Sequence, residues 1–139
     1  RLRSDTKAYL LQKPNKRKLR MYEGKTQLTR IWTIKSDDVE KMKENAKAHT
    51  DWMKETHYRD GDKKLHFLNW SIEEEKNDGI ATGNTFFVLT EVYETVAGVD
   101  DHMQQAQDSE FSFIPHGEVL QNPESLVICD RGSVIHSLW

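Results

Sequence analysis

Between Thr85 and Glu94 the chain alternates so that both faces of one strand carry large apolar residues. Phe86, Val88, Thr90 and Val92 point one way; Phe87, Leu89, Glu91 and Tyr93 point the other. Such a strand needs cover above and below its sheet, and the rest of the chain is best read for how it supplies that cover. Gln27–Lys35 is a second β-rich run, with Leu28, Ile31, Trp32 and Ile34. Ser36, Asp37 and Asp38 then offer helix-capping side chains, with Glu40 three residues after Asp37 as a capping box requires. Val39, Met42, Ala46, His49 and Met53 recur at the spacing of one helical face, widened by Trp52 and Thr56. Arg59-Asp60-Gly61-Asp62 reads as a turn.

Leu65–Ile72 is the next predicted strand, with His66, Leu68, Trp70 and Ile72 on one face. The charged, glycine-containing stretch Glu73–Gly83 reads as a hairpin-like connection or loop. Thr95 is placed to cap a second helix, whose apolar face holds Val99, His102, Met103 and Ala106. An irregular stretch through Pro115, Gly117 and Pro123 leads to a strand at Leu126–Cys129, a turn at Asp130-Arg131-Gly132, and a last segment Val134–Trp139. The order β-α-β-β-α-β predicts a ferredoxin-like α+β unit over residues 26–139. Its helices cover one sheet face. Too little chain remains to cover the other, so a homodimer that completes the second layer is expected.

The 139 residues carry a net charge of −3. Residues 1–25 hold nine Lys/Arg against two Asp/Glu, a local +7, so a basic and loosely structured arm precedes a body of charge −10. That body is a poor nucleic-acid binder. The arm, with only Tyr9 and Tyr22 beside its charges, is read as a solvated tail or one docked on a partner's acidic surface, so nucleic acid is not an expected partner and a nucleic-acid module using the arm is only a third reading. No apolar run approaches a membrane span, and Ala8-Tyr9-Leu10-Leu11 is too short for a secretory signal. The single cysteine, Cys129, excludes an intrachain disulfide and fits a reducing, cytoplasmic setting.

The run from Phe87 to His102 resembles the strand–helix signature of the antibiotic-biosynthesis monooxygenase family, of the dimeric α+β-barrel superfamily. Glu91, Tyr93, Ala97 and His102 occupy the places of that signature's strand Glu, the aromatic two residues on, the small residue at the helix start and the helix His. The Asp60-Gly61 turn before Leu65 is similar to the family's turn into strand two, and the element order extends the resemblance over residues 27–138. The family's second His after the helix is missing. So is the first-strand Asn of its haem-degrading relatives, since Leu28–Ile34 contains none. The resemblance implies a dimeric barrel and cofactor-free oxygenation of a small aromatic or quinol-type molecule, with no metal or flavin.

Glu91 interrupts an apolar stripe and His102 lies on an apolar helix face, so the two are expected to meet. They form either a general base, with Glu91 orienting His102 and Tyr93 holding a substrate oxygen, or a structural Glu–His bond. Trp32, Trp52, Trp70 and Phe87 are candidates to wall a substrate cavity, or ordinary core aromatics. Asn69 could orient an oxygen or face solvent. His49 and His57 lie eight apart on one helix, too far for helical metal ligands, and no metal site is predicted. A non-catalytic dimeric barrel that binds a ligand or serves a stress response remains the alternative.

Overall fold

The computed structural model describes residues 20–121 and 125–139. The Thr85–Glu94 alternation falls in β3 (Ile80–Tyr93), an interior strand of a four-stranded antiparallel sheet. The other strands are β1 (Thr26–Lys35), β2 (Leu65–Asn77) and β4 (Leu126–Ser133), in the order β2-β3-β1-β4. Helices α1 (Val39–Thr56) and α2 (Val96–Asp108) sit in the two β-α-β crossings, and a single turn α3 (Gly117–Leu120) precedes β4. The chain is therefore α+β, and order and direction of the strands are compatible with a ferredoxin-like fold.

One sheet face holds the core. Leu28, Trp32 and Ile34 of β1 and Phe87, Leu89 and Tyr93 of β3 pack against Met42 and Met53 of α1, Val99 of α2 and Val119 of α3. The register pairs Ile31 with Val88 and with Leu126 on the opposite face, and Gln27 with Val92, which in turn pairs with Phe67. No helical member of the core reaches that second face. Among the described residues no helix is long and apolar enough to cross a membrane.

Several local expectations are corrected. The capping box at Asp37 and Glu40 does not form: Ser36–Asp38 is a 3-10 turn, the N-cap Asp38 makes no side-chain capping bond, and Glu40 is paired with Lys43. Thr95 does cap α2, its hydroxyl accepting from the Ala97 amide at 3.2 Å. Of the two readings of Glu73–Gly83, the hairpin holds and the loop does not: the stretch is the outer half of a long hairpin, with both strands longer than expected. Only Asp78 and Gly79 turn, with φ of 50° and 79°, the doubly left-handed turn that matches strand twist. Beyond the helices both faces of this ribbon meet water, so its charged residues hide the strand.

Asp130-Arg131-Gly132 is likewise no turn. It belongs to β4, whose register against β1 slips twice around Thr29. A bulge between Leu65 and Phe67 takes His66 away from Leu68 and Trp70, and its Nε2 instead meets Glu94 at 2.5 Å. Of the basic arm, residues 1–19 lie outside the described residues. Residues 20–25 are tied to the C-terminal segment, with Gly24 donating to the Val134 carbonyl and Val134 to that of Lys25, both at 2.9 Å.

Helix α2 lies unusually close to β3. A Cβ on Gly98 would stand 2.6 Å from Tyr93 Cδ1 and 3.1 Å from the Lys63 carbonyl oxygen. Gly98→Ala is therefore expected to destabilise the fold by about 1–3 kcal/mol. Gly117→Ala, with open space around it, should stay within about 0.5 kcal/mol. Denaturant unfolding of the two variants checks the difference.

Candidate functional site

A cavity of about 830 Å³ lies between the helix-covered sheet face and the helices, roofed by the segment after α2. Trp32, Leu89 and Trp70 form its floor, His49 and His102 its helical walls, and Phe111 and Phe113 part of its roof. The roof is fastened by Asn45, a buried residue of α1 whose amide makes two bonds of 2.9 Å to the backbone N–H and C=O of His116. Of the residues expected to wall a cavity, Trp32 and Trp70 do so. Trp52 is set back, stacked on Phe113 at 3.9 Å, and Phe87 is sealed in the core. Asn69 is exposed, beside a shallow groove near Ala46 and Lys47.

Glu91 and His102 do come together, in company the sequence reading did not foresee. A ring nitrogen of His49, a carboxylate oxygen of Glu91 and a ring nitrogen of His102 all lie within 4.8 Å of one another, and all three residues are buried. Glu91 has no exposed surface, and burial pushes its carboxyl up to about 7. The Tyr93 hydroxyl, expected to hold a substrate oxygen, donates to Glu91 Oε2 at 2.7 Å instead. Glu91 Oε1 accepts no hydrogen bond; the titratable group facing it is His49 Nε2, at 3.6 Å.

Hydrogen-bond order sets the tautomers of the imidazoles. The Thr56 hydroxyl donates its one proton to the Trp52 carbonyl at 2.7 Å, so its oxygen accepts from His57 Nδ1, at 2.9 Å. His57 Nε2 is then the acceptor for His102 Nδ1–H, at 3.0 Å. His102 keeps an unprotonated Nε2. On the other wall, Trp70 Nε1–H donates to His49 Nδ1 at 3.2 Å, so His49 carries its proton on Nε2, facing Glu91. This assignment requires neutral rings. Burial supplies that condition, holding His49 and His57 down to about 4 and, with the neighbouring imidazoles, His102 to about 3.

Two histidines and a carboxylate are also the donors of a common metal set. His102 is oriented for that role, but His49 is not. A ligating imidazole presents a lone pair and donates its other N–H, whereas Trp70 makes His49 Nδ1 an acceptor. Metal binding through His49 Nε2 would require Trp70 to give way.

Comparisons with protein-family models, with curated proteins and with solved structures find no match to this chain.

Three residues of the site were not singled out by the sequence reading. His49 had a visible signal, since it interrupts the apolar face of α1 as His102 does that of α2. Arg30, which also lines the cavity, occupies an even position in the β1 stripe of Leu28, Trp32 and Ile34. His57 gave no signal, because it lies just past the end of α1.

The neutral imidazoles make stability depend on pH. In the unfolded chain they protonate near 6.5, in the fold only near 4 or below. Between those values the folded state binds fewer protons, so stability falls as pH drops through that window. Glu91 opposes this, since its raised carboxyl is a penalty that grows as pH rises from 4.5 to about 7. Three imidazoles outweigh one carboxyl. The denaturant midpoint is therefore expected to fall from pH 6.5 to 4.5, with a shallower fall in His57→Asn. An identical fall in that variant would refute the neutral assignment.

Proposed function

We propose that this chain is a small cofactor-independent, oxygenase-like enzyme of the dimeric α+β-barrel type. Its substrate is a small aromatic or quinol-type molecule, and its setting is the cytoplasm. The reading agrees with the resemblance of Phe87–His102 to antibiotic-biosynthesis monooxygenases. The observation that carries it is the tautomer of His102: a bare Nε2 in the helical wall of an aromatic cavity, held by the chain through His57 to Thr56.

That nitrogen takes the proton of a bound phenol or of an activated C–H beside a carbonyl. Imidazolium formation is costly in the empty cavity, so the charge pair with the substrate anion forms as a unit. An electron-rich anion of this type passes one electron to dioxygen. Recombination of the radical pair makes a C–O bond as a peroxide. Loss of water from the peroxide, using the abstracted proton and one more from the same carbon, leaves a carbonyl. One oxygen atom enters the product and the other leaves as water; all electrons come from the substrate.

Glu91 lies within 4.8 Å of the imidazole and, once ionised, favours the imidazolium. Tyr93 holds Glu91 in place rather than the substrate. With the carboxyl at about 7, oxygen consumption with a quinol or anthrone is expected to rise through neutral pH. Glu91→Gln should lose that rise, and His102→Ala should lose about 10²–10⁴ in kcat. Unchanged rates in His102→Ala would remove the assignment. Ligand binding with no oxygen uptake across a panel of quinols and anthrones would leave a ligand-binding barrel in its place.

The second sheet face supports the dimer. Leu126, Ile31 and Val88 form a row across it, flanked by Phe86, Val92 and Phe67. Two copies meeting there would supply the missing layer. Sedimentation at micromolar concentration should give about twice the chain mass of 16.3 kDa. A mass near 16.3 kDa would exclude the barrel.

A further inference from the structure

Arg30 is a cation in the floor of the cavity that no anion among the described residues balances. It shares the helix-covered face of β1 with Leu28, Trp32 and Ile34, and its Nε is buried without a hydrogen-bond partner. Its guanidinium lies over the Trp32 ring, 5.4 Å from the centroid. Among the described residues no carboxylate pairs with it. Glu91 is its diagonal neighbour, since Arg30 faces Leu89 and Glu91 faces Leu28. Yet Glu91 is bonded to Tyr93, and its free oxygen is nearest His49. The two carboxylates that line the cavity are elsewhere occupied or exposed: Asp130 is paired with Arg131, and Glu110 is exposed. Asn45, a neutral polar residue of the lining, uses both ends of its amide on His116.

A buried N–H without a partner is costly, and an arginine presents Nε together with one terminal nitrogen as a planar fork matched to a carboxylate. The fork stands beside Trp32, which packs on Trp70 with centroids 5.2 Å apart. We propose that the cavity binds an aromatic acid, its carboxylate held by Arg30 and its ring laid against Trp32 and Trp70. In this arrangement the acid group fixes the ring, and the reacting position is turned toward His102. This names the substrate class of the oxygenase reading and rests on it for the role of His102, but not for binding.

Naphthalene-2-carboxylate and naphthalene-2-carboxamide, of equal size and differing in charge, separate the two questions when titrated by calorimetry. The acid is expected to bind at least tenfold more tightly than the amide. Arg30→Met should bring the acid down to the amide's affinity and leave the amide within twofold, which also shows that the variant is folded. Arg30→Lys, which keeps the charge but loses the fork, should retain a preference reduced at least threefold. Equal binding of acid and amide to the unaltered protein, no binding of either, or a full preference surviving in Arg30→Met would overturn the proposal. If the acid preference depends on Arg30 but no quinol consumes oxygen, the catalytic reading fails alone. Oxygen uptake with no acid preference does the reverse.

Discussion

A carboxyl group with no exposed surface, held under two helices, is the constraint on which this structure turns. Glu91 belongs to the strand that anchors the whole sheet, and it cannot be left bare in an apolar layer. Tyr93 supplies one bond, and Tyr93 is in turn pinned by the backbone of α2 at Gly98. The close approach of α2 that a glycine permits brings His102 over the sheet. The far side of the carboxyl then faces His49 on α1. Helix spacing, tyrosine orientation and imidazole placement follow from accommodating one charge-bearing residue.

The imidazoles answer to the same low-polarity surroundings. Burial keeps them neutral, and neutrality makes each ring a donor on one side and an acceptor on the other. Trp70 and Thr56 then decide which side is which. The floor and the walls of the cavity are coupled through these assignments: the tryptophan that lines the floor also sets the proton on His49. Arg30 is the exception, a cation whose fork no described residue occupies.

The sequence disclosed the skeleton of this arrangement because its signals were periodic. The α1 face from Val39 to Met53 and the split faces of β3 each repeat over several residues, and the α2 cap at Thr95 stands directly before such a repeat. Glu91 and His102 stood out because each breaks such a repeat. What stayed hidden lacked a local period. The Glu73–Gly83 ribbon is charged because water bathes both its faces. The β4 bulges and the slip at His66 shift registers without changing composition. The tautomer chain joins residues 45 positions apart. Arg30 was legible by the rule that found Glu91, a charge on the apolar parity of a strand. The Tyr93 hydroxyl misled for a simple reason: its nearest acceptor is two residues away on its own strand.

The hydrogen-bond chain behind His102 has a consequence for the reaction proposed above. It ends on the Trp52 carbonyl, a group that accepts a hydrogen bond but cannot hold a proton. Positive charge can move one ring outward to His57, and no further through Thr56. The Thr56 end of the chain therefore orients the rings and relays no proton. In the proposed reaction, a proton taken from the substrate by His102 is at hand in the same cavity for the peroxide step, which makes that cycle self-contained in acid and base. A cycle of that kind would need no separate proton channel.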